Sequence, residues 1–211
     1  MTRMRFAAIA LLTTVGGPLA AQQAARVPVA AESRLWIDGT SNLHAWTCKA
    51  QTMNATVELD EAAATQLNTA PPKALKHVQV QVPVKSLKCG HDGMDNNLYK
   101  ALGADATPEI TYIMASFDAT PGVAKDTFTL HATGTLEVAG RTNNIALDVT
   151  AIRMPDGTVR ATGAVPIKMT DYGIKPPTAI FGTLKSGDEV TVNFQLIVGG
   201  KAIAAAFNDQ R

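Results

Sequence analysis

The strongest constraint on this chain lies in Thr127–Ala139, where polarity switches at nearly every residue. Phe128, Leu130, Ala132, Gly134, Leu136 and Val138 fall on one side, and Thr127, Thr129, His131, Thr133, Thr135 and Glu137 on the other. A period of two over this length dictates a long strand with one dry and one wet face. The pattern recurs in Val78, Val80 and Val82, and again in Ile145, Leu147, Val149 and Ala151. It returns in Val159, Ala161, Gly163, Val165, Ile167 and Met169, and in Val190, Val192, Phe194, Leu196 and Val198. Arg34–Asp38, Thr47–Leu59 and Ile110–Phe117 bring the count to about eight strands. Turn signals at Gly140-Arg141, Pro155-Asp156-Gly157 and Lys185-Ser186-Gly187-Asp188 separate several of them. Strands joined by short turns form an antiparallel meander, and closing it into a barrel leaves no raw edge. Two segments break the β rhythm: Asp60–Asn68, with Asp60 as its cap, and Met94–Leu102, stopped by Gly103, both expected as short helices. The expectation is an all-β fold, an eight-stranded antiparallel barrel with one or two short helices.

What fills such a barrel depends on its inner face. Aromatic residues make up only 5% of the chain, and Ala132, Gly134, Ala151, Ala161 and Gly163 lie on the dry face. Small residues there leave volume, and an apolar cavity accepts an apolar guest. The alternative is that large neighbours interdigitate with the small ones and fill the interior. Alternation alone leaves both open. The candidate lining residues are Val80, Val82, Phe128, Leu130, Ala132, Gly134, Leu136, Leu147, Val165, Phe194 and Leu196.

The first residues have a different character. Arg3 and Arg5 precede an apolar run from Phe6 to Val15, followed by Gly16, Gly17, Pro18, Ala20 and Ala21. This is the layout of a secretory signal peptide, with cleavage expected near Ala20–Gln22 and Ala31 as a second candidate. The run is shorter than the about 20 residues that span a bilayer, so no stable membrane span is expected. The domain reading is a signal peptide over residues 1–20, a flexible lead-in over 21–33, one barrel domain over 34–200 and a C-terminal tail over 201–211. The expected location is the periplasm. Loss of residues 1–20 leaves 17 basic against 18 acidic side chains, a net charge of −1. Near-neutrality supplies no bulk attraction to nucleic acid.

Cys48 and Cys89 are the only thiols. In an oxidising compartment an even pair is expected to form a disulfide. The competing arrangement is a zinc site of His44, Cys48, Cys89 and His91. Its H-x3-C and C-x-H spacings fit no standard finger and no acidic residues stand ready to orient the histidines, so no metal is expected. Unpaired thiols are the third reading.

No nucleophile elbow, phosphate-cradling glycine loop or paired metal motif is present, so no catalytic residue is assigned and no enzyme is expected. His131 belongs to the wet face of its strand. His44, near Trp36 and Trp46 in sequence, reads either as a packed histidine bonded to a backbone carbonyl or as a polar contact for a ligand head group. Asp171-Tyr172-Gly173 reads either as a loop at a barrel mouth or as a tight turn with Gly173 at positive φ. His44, Trp46 and Tyr172 are the mouth candidates.

From Arg34 onward the chain resembles the YceI family of bacterial periplasmic polyisoprenoid-binding proteins. Leu35-Trp36-Ile37-Asp38-Gly39-Thr40-Ser41-Asn42-Leu43-His44-Ala45-Trp46 is similar to the opening strand of the branch with a G-T-S-x-L-H-x-W signature. Pro83-Val84-Lys85-Ser86-Leu87, then Met94-Asp95 and Leu98, then Ala101-Leu102, resembles the stretch leading to the family's y-P-x-I-x-f motif, which is Thr107-Pro108-Glu109-Ile110-Thr111-Tyr112 here. Gly134–Thr142 looks like its G-x-L-x-l-x-G-x-T hairpin, and Thr170-Asp171-Tyr172-Gly173-Ile174 like its d-[FY]-G-i segment. The resemblance implies a lipocalin-like barrel whose long pore takes an isoprenoid tail, with the head group towards the mouth. It implies no cofactor beyond such a bound lipid. Oligomeric state stays undetermined. The second reading is a structural or interaction protein with a filled barrel and no cargo.

Overall fold

The computed structural model describes residues 24–64, 70–179 and 182–199. The expected signal peptide and C-terminal tail lie outside the described residues. Twelve strands occur among them, in chain order β1 (Ala24–Val27), β2 (Arg34–Ser41), β3 (Ala45–Ala50), β4 (Asn54–Asp60), β5 (Leu75–Pro83) and β6 (Leu87–Lys88). They continue with β7 (Glu109–Pro121), β8 (Thr127–Val138), β9 (Arg141–Arg153), β10 (Val159–Lys168), β11 (Thr178–Ala179) and β12 (Leu184–Val198). Two α-helices, α1 (Glu61–Ala64) and α2 (Asp92–Ala101), interrupt them. Every strand pairing is antiparallel, so the all-β expectation holds.

The eight-strand count does not. Thr47–Leu59 is two strands, because the chain turns through residues 51–53 between β3 and β4. Lys185–Asp188 is not a turn; it lies within β12, where the register to β2 slips between Ser186 and Val190 as a bulge. Residues 24–33 are more than a loose lead-in, since β1 pairs with β4 from Ala24↔Asp60 to Val27↔Val57.

Those same residues help close the wall. The hydrogen-bonded order runs β1-β4-β5-β7-β8-β9-β10-β12-β2-β3-β6, with β11 beside β12. Beyond β1 the chain crosses to β12, where Val29 bridges Val198 and the Ala30 N–H donates to the Ile197 carbonyl at 2.8 Å. At the other end β6 follows directly from β5 and pairs with β3, joining the last strand of the path to its third. The curled sheet thus meets itself near both ends as a barrel. One seam is thin: β9 and β10 pair only from Val159↔Arg153 to Gly163↔Val149, whereas β8 and β9 pair along the whole of β8.

The sequence signals have local causes that are visible in the chain. Ala139 and Gly140 form the two-residue turn between β8 and β9, both at positive φ (51° and 73°). That twist suits a tight hairpin, and Gly140 adopts it without a steric penalty. His91 caps α2 by accepting the Gly93 N–H at 3.1 Å on its Nδ1, and Gly103 (φ 63°) follows the helix in a left-handed conformation. Two buried clusters sit at the two ends. Leu87, Leu102, Val138, Tyr172 and Ile174 pack beneath α2, and Val27, Val57, Leu59, Leu196 and Val198 pack under β1.

Candidate functional site

Between the two clusters lies a cavity of about 1000 Å3. That is the upper end of the about 300–1,000 Å3 usual for small-molecule sites. Its wall is built by the alternation that defines the strands: the inward residues of β5, β7, β8, β9, β10 and β12 are apolar except Arg153 at the end of β9 and Ser186 in the β12 bulge. Along β8 and β9 the outward face instead carries Thr129, His131, Thr133, Asp148 and Thr150, all but one exposed. A polar outside and a dry inside is the reverse of a barrel embedded in lipid. β8 has twelve residues; at about 3.4 Å each it is about 40 Å long, and a tilt of about 40° leaves about 30 Å along the barrel axis. The lumen is long and narrow.

Of the eleven expected lining residues, Val80, Val82, Phe128, Leu130, Ala132, Leu136, Leu147, Val165, Phe194 and Leu196 line the cavity. Gly134 does not. A methyl group placed on it would lie 2.7 Å from the ring of Tyr112, so that ring occupies the space the glycine leaves. Gly163 is covered the same way, its absent Cβ 2.5 Å from the ring of Phe194, its register partner. These two glycines therefore make room for aromatic rings instead of adding free volume. Alanines keep the lumen open: Ala132, Ala151 and Ala161 all line it. Several inward side chains, among them Val80, Leu130 and Leu147, are only half-buried although they face inward. Part of the surface of each borders the lumen.

The mouth candidates divide. His44 is exposed on the β2–β3 hairpin at the α2 end of the lumen, and its Nδ1 lies 2.9 Å from the Ala45 carbonyl. Trp46 lines the same end, half-buried, its ring resting on Gly39 and its Nε1–H donating to the Thr40 carbonyl at 3.0 Å. Tyr172 also lines the cavity but is not exposed: at 3% exposure it belongs to the buried cluster beneath α2. Its segment is a tight turn, Met169–Tyr172, closed by Gly173 at φ 69°. Trp36, close to His44 in sequence, bonds Asp38 through Nε1 instead. Burial pushes the phenols of both Tyr112 and Tyr172 above the ordinary tyrosine range. Both remain neutral at physiological pH, in keeping with an apolar interior.

The cysteine alternatives are settled by a Cys48–Cys89 disulfide joining β3 to the segment before α2. Both cysteines belong to the cavity wall at the α2 end. With the thiols consumed and His91 engaged in capping, the four-residue zinc arrangement does not form. Asp95, the only buried charged residue among those described, at 4% exposure, braces this corner. Its Oδ1 accepts the Cys89 N–H at 2.7 Å and its Oδ2 lies 3.1 Å from Lys88 Nζ. The Cys89 amide is the chief reason its carboxyl is held below the usual range. The resemblance to the family includes Met94-Asp95, but no spacing in the sequence assigns Asp95 this brace, because its partners arrive from the segment before the helix.

A family model of a YceI-like domain matches residues 30–198. The chain belongs to this family. Solved structures similar to this YceI-like chain include Burkholderia cenocepacia BcnA, 18% identical, with a TM-score of 0.61 over 81% of this chain and 99% of that one. A polyisoprenoid-binding domain from Saccharophagus degradans implicated in plant cell wall breakdown is 14% identical, with a TM-score of 0.60 over 83% and 97%. The YCEI protein of Campylobacter jejuni is 18% identical, with a TM-score of 0.53 over 90% and 94%. At these identities the likeness speaks for the fold. No curated protein matches the chain.

Proposed function

We propose that this protein is a non-catalytic carrier that holds a long apolar molecule, of the isoprenoid class, inside its barrel. The observation that carries the reading is the lumen: a cavity of about 1000 Å3 lined almost wholly by aliphatic and aromatic side chains. An apolar cavity of this size stays unfavourable to water and gains from an apolar occupant. Membership of the YceI-like family and the likeness to a polyisoprenoid-binding domain support the same class of ligand. The reading of a filled, cargo-free barrel fits less well, because close packing would leave no space of this volume.

The export expectation joins this proposal. Residues 1–20 direct the chain to the periplasm, where Cys48 and Cys89 oxidise. No helix among the described residues is long and apolar enough to cross a membrane. A mature mass starting near Ala21 in a periplasmic fraction tests the route.

Native mass spectrometry of protein purified from its host, followed by organic extraction, tests the cargo. A co-purifying long-chain isoprenoid is the expected result; protein that stays empty when offered such lipids refutes it. Ala132→Phe supplies the control. Ala132 lines the lumen in mid-strand, and a ring there obstructs a narrow channel while leaving the ladder intact. Lipid retention equal to the unsubstituted protein in a folded Ala132→Phe variant places the ligand elsewhere.

A further inference from the structure

Among the described residues that line the lumen, Arg153 alone is an Asp, Glu, Lys or Arg. It is the last residue of β9 and stands at the β1 end of the cavity, beside Ala70, Pro71, Phe128 and Val159. Its guanidinium carbon lies 4.4 Å from the centroid of the Phe128 ring. One Nη2–H donates to the Ala70 carbonyl. No carboxylate of the described residues pairs with Arg153.

A charge partly withdrawn from water beside hydrocarbon is unfavourable unless an anion meets it. Stacking on Phe128 engages the guanidinium face and leaves the fork of N–H donors at its edge. That fork matches two oxygens of one phosphate or carboxylate group. We propose that Arg153 is the head-group site of the lumen. Its ligand is an amphiphile, with an apolar chain in the barrel and a phosphate or carboxylate at the β1 end, remote from His44 and Trp46. This assignment rests on the apolar-lumen reading and moves the head group to the opposite end from the mouth candidates.

Titration calorimetry of the full chain with farnesol, farnesyl monophosphate and farnesoic acid separates the possibilities, since the three share one tail. Anionic ligands are expected to bind on the order of tenfold or more tightly than the alcohol. A preference for the phosphate alone assigns a phosphoryl head, and one for the acid alone a carboxylate. In Arg153→Met the anions fall to within about twofold of farnesol, while farnesol affinity is unchanged. Arg153→Lys keeps the charge without the fork and gives a reduced preference, which decides the same question should Arg153→Met not fold. Equal affinity for all three in the unsubstituted protein, or an anion preference that survives Arg153→Met, overturns the assignment while leaving the lumen reading in place. Failure of all three to bind removes both.

Discussion

Replacing both Cys48 and Cys89 by Ala opens a loop whose ends are 41 residues apart. The chain-entropy relation for that length gives about 13 cal/mol/K, or about 4 kcal/mol at 25 °C. For a chain of this size each kcal/mol moves Tm by about 2–4 °C, so Tm should fall by about 8–16 °C. In urea, with m of about 2–3 kcal/mol/M, the midpoint should drop by about 1.3–2 M. The loss should also be uneven. β6 is tied to β3 by only two register pairs, Lys49↔Lys88 and Ala50↔Leu87, and the disulfide adds the one covalent tether between β3 and the α2 corner. The β8–β9 ladder, from Thr127↔Ile152 to Val138↔Arg141, does not depend on it. Hydrogen exchange should therefore quicken most in Cys89–Leu102, while β8 amides follow the global change alone. A midpoint shift under about 0.3 M would refute the loop-entropy argument. Uniform acceleration would refute the local tether.

Three further outcomes are expected. The Asp95 carboxyl is held below its usual range, so it adds stability above the unfolded-state pKa of about 3.9 and loses it as pH falls through the lower folded value. Urea midpoints measured between pH 6 and pH 2.5 should show a shallower acid decline in Asp95→Asn, and an unchanged decline would disprove the brace. Ala139 sits at φ 51° in a turn that favours Asn-Gly, so Ala139→Asn should raise stability by about 1 kcal/mol, read as a Tm gain of about 2–4 °C. Gly134→Ala drives a methyl group into the Tyr112 ring and the Ile113 carbonyl and should cost about 1–3 kcal/mol; neutral behaviour in thermal unfolding would mean that the ring is free to move.

Much of the wall could be read from the residues because a strand writes its environment into every second position. Phe128 to Val138 and Val190 to Val198 declared their dry faces, and ten of eleven chosen residues face the lumen for that reason. The exception is instructive. Gly134 obeys the alternation, but whether its missing side chain means a hole depends on Tyr112, which belongs to another strand. Boundaries failed where the pattern is indifferent to direction: Thr47–Leu59 alternates on both sides of the bend at residues 51–53. The bulge at Ser186–Val190 likewise uses the same Ser, Gly and Asp that build turns.

By itself the sequence determined the antiparallel β class, the inward and outward faces, the helix stop at Gly103 and the identity of the two residues able to form a disulfide. These depend on local sterics and on a period of two, which act within a few neighbouring residues. Only the tertiary structure decided that the barrel is hollow, that rings cover its glycines, that β1 and β6 close its ends and that Arg153 is the one Asp, Glu, Lys or Arg among the described residues of the wall. Each of those depends on which distant side chains arrive in the same volume, and no spacing along a chain records that.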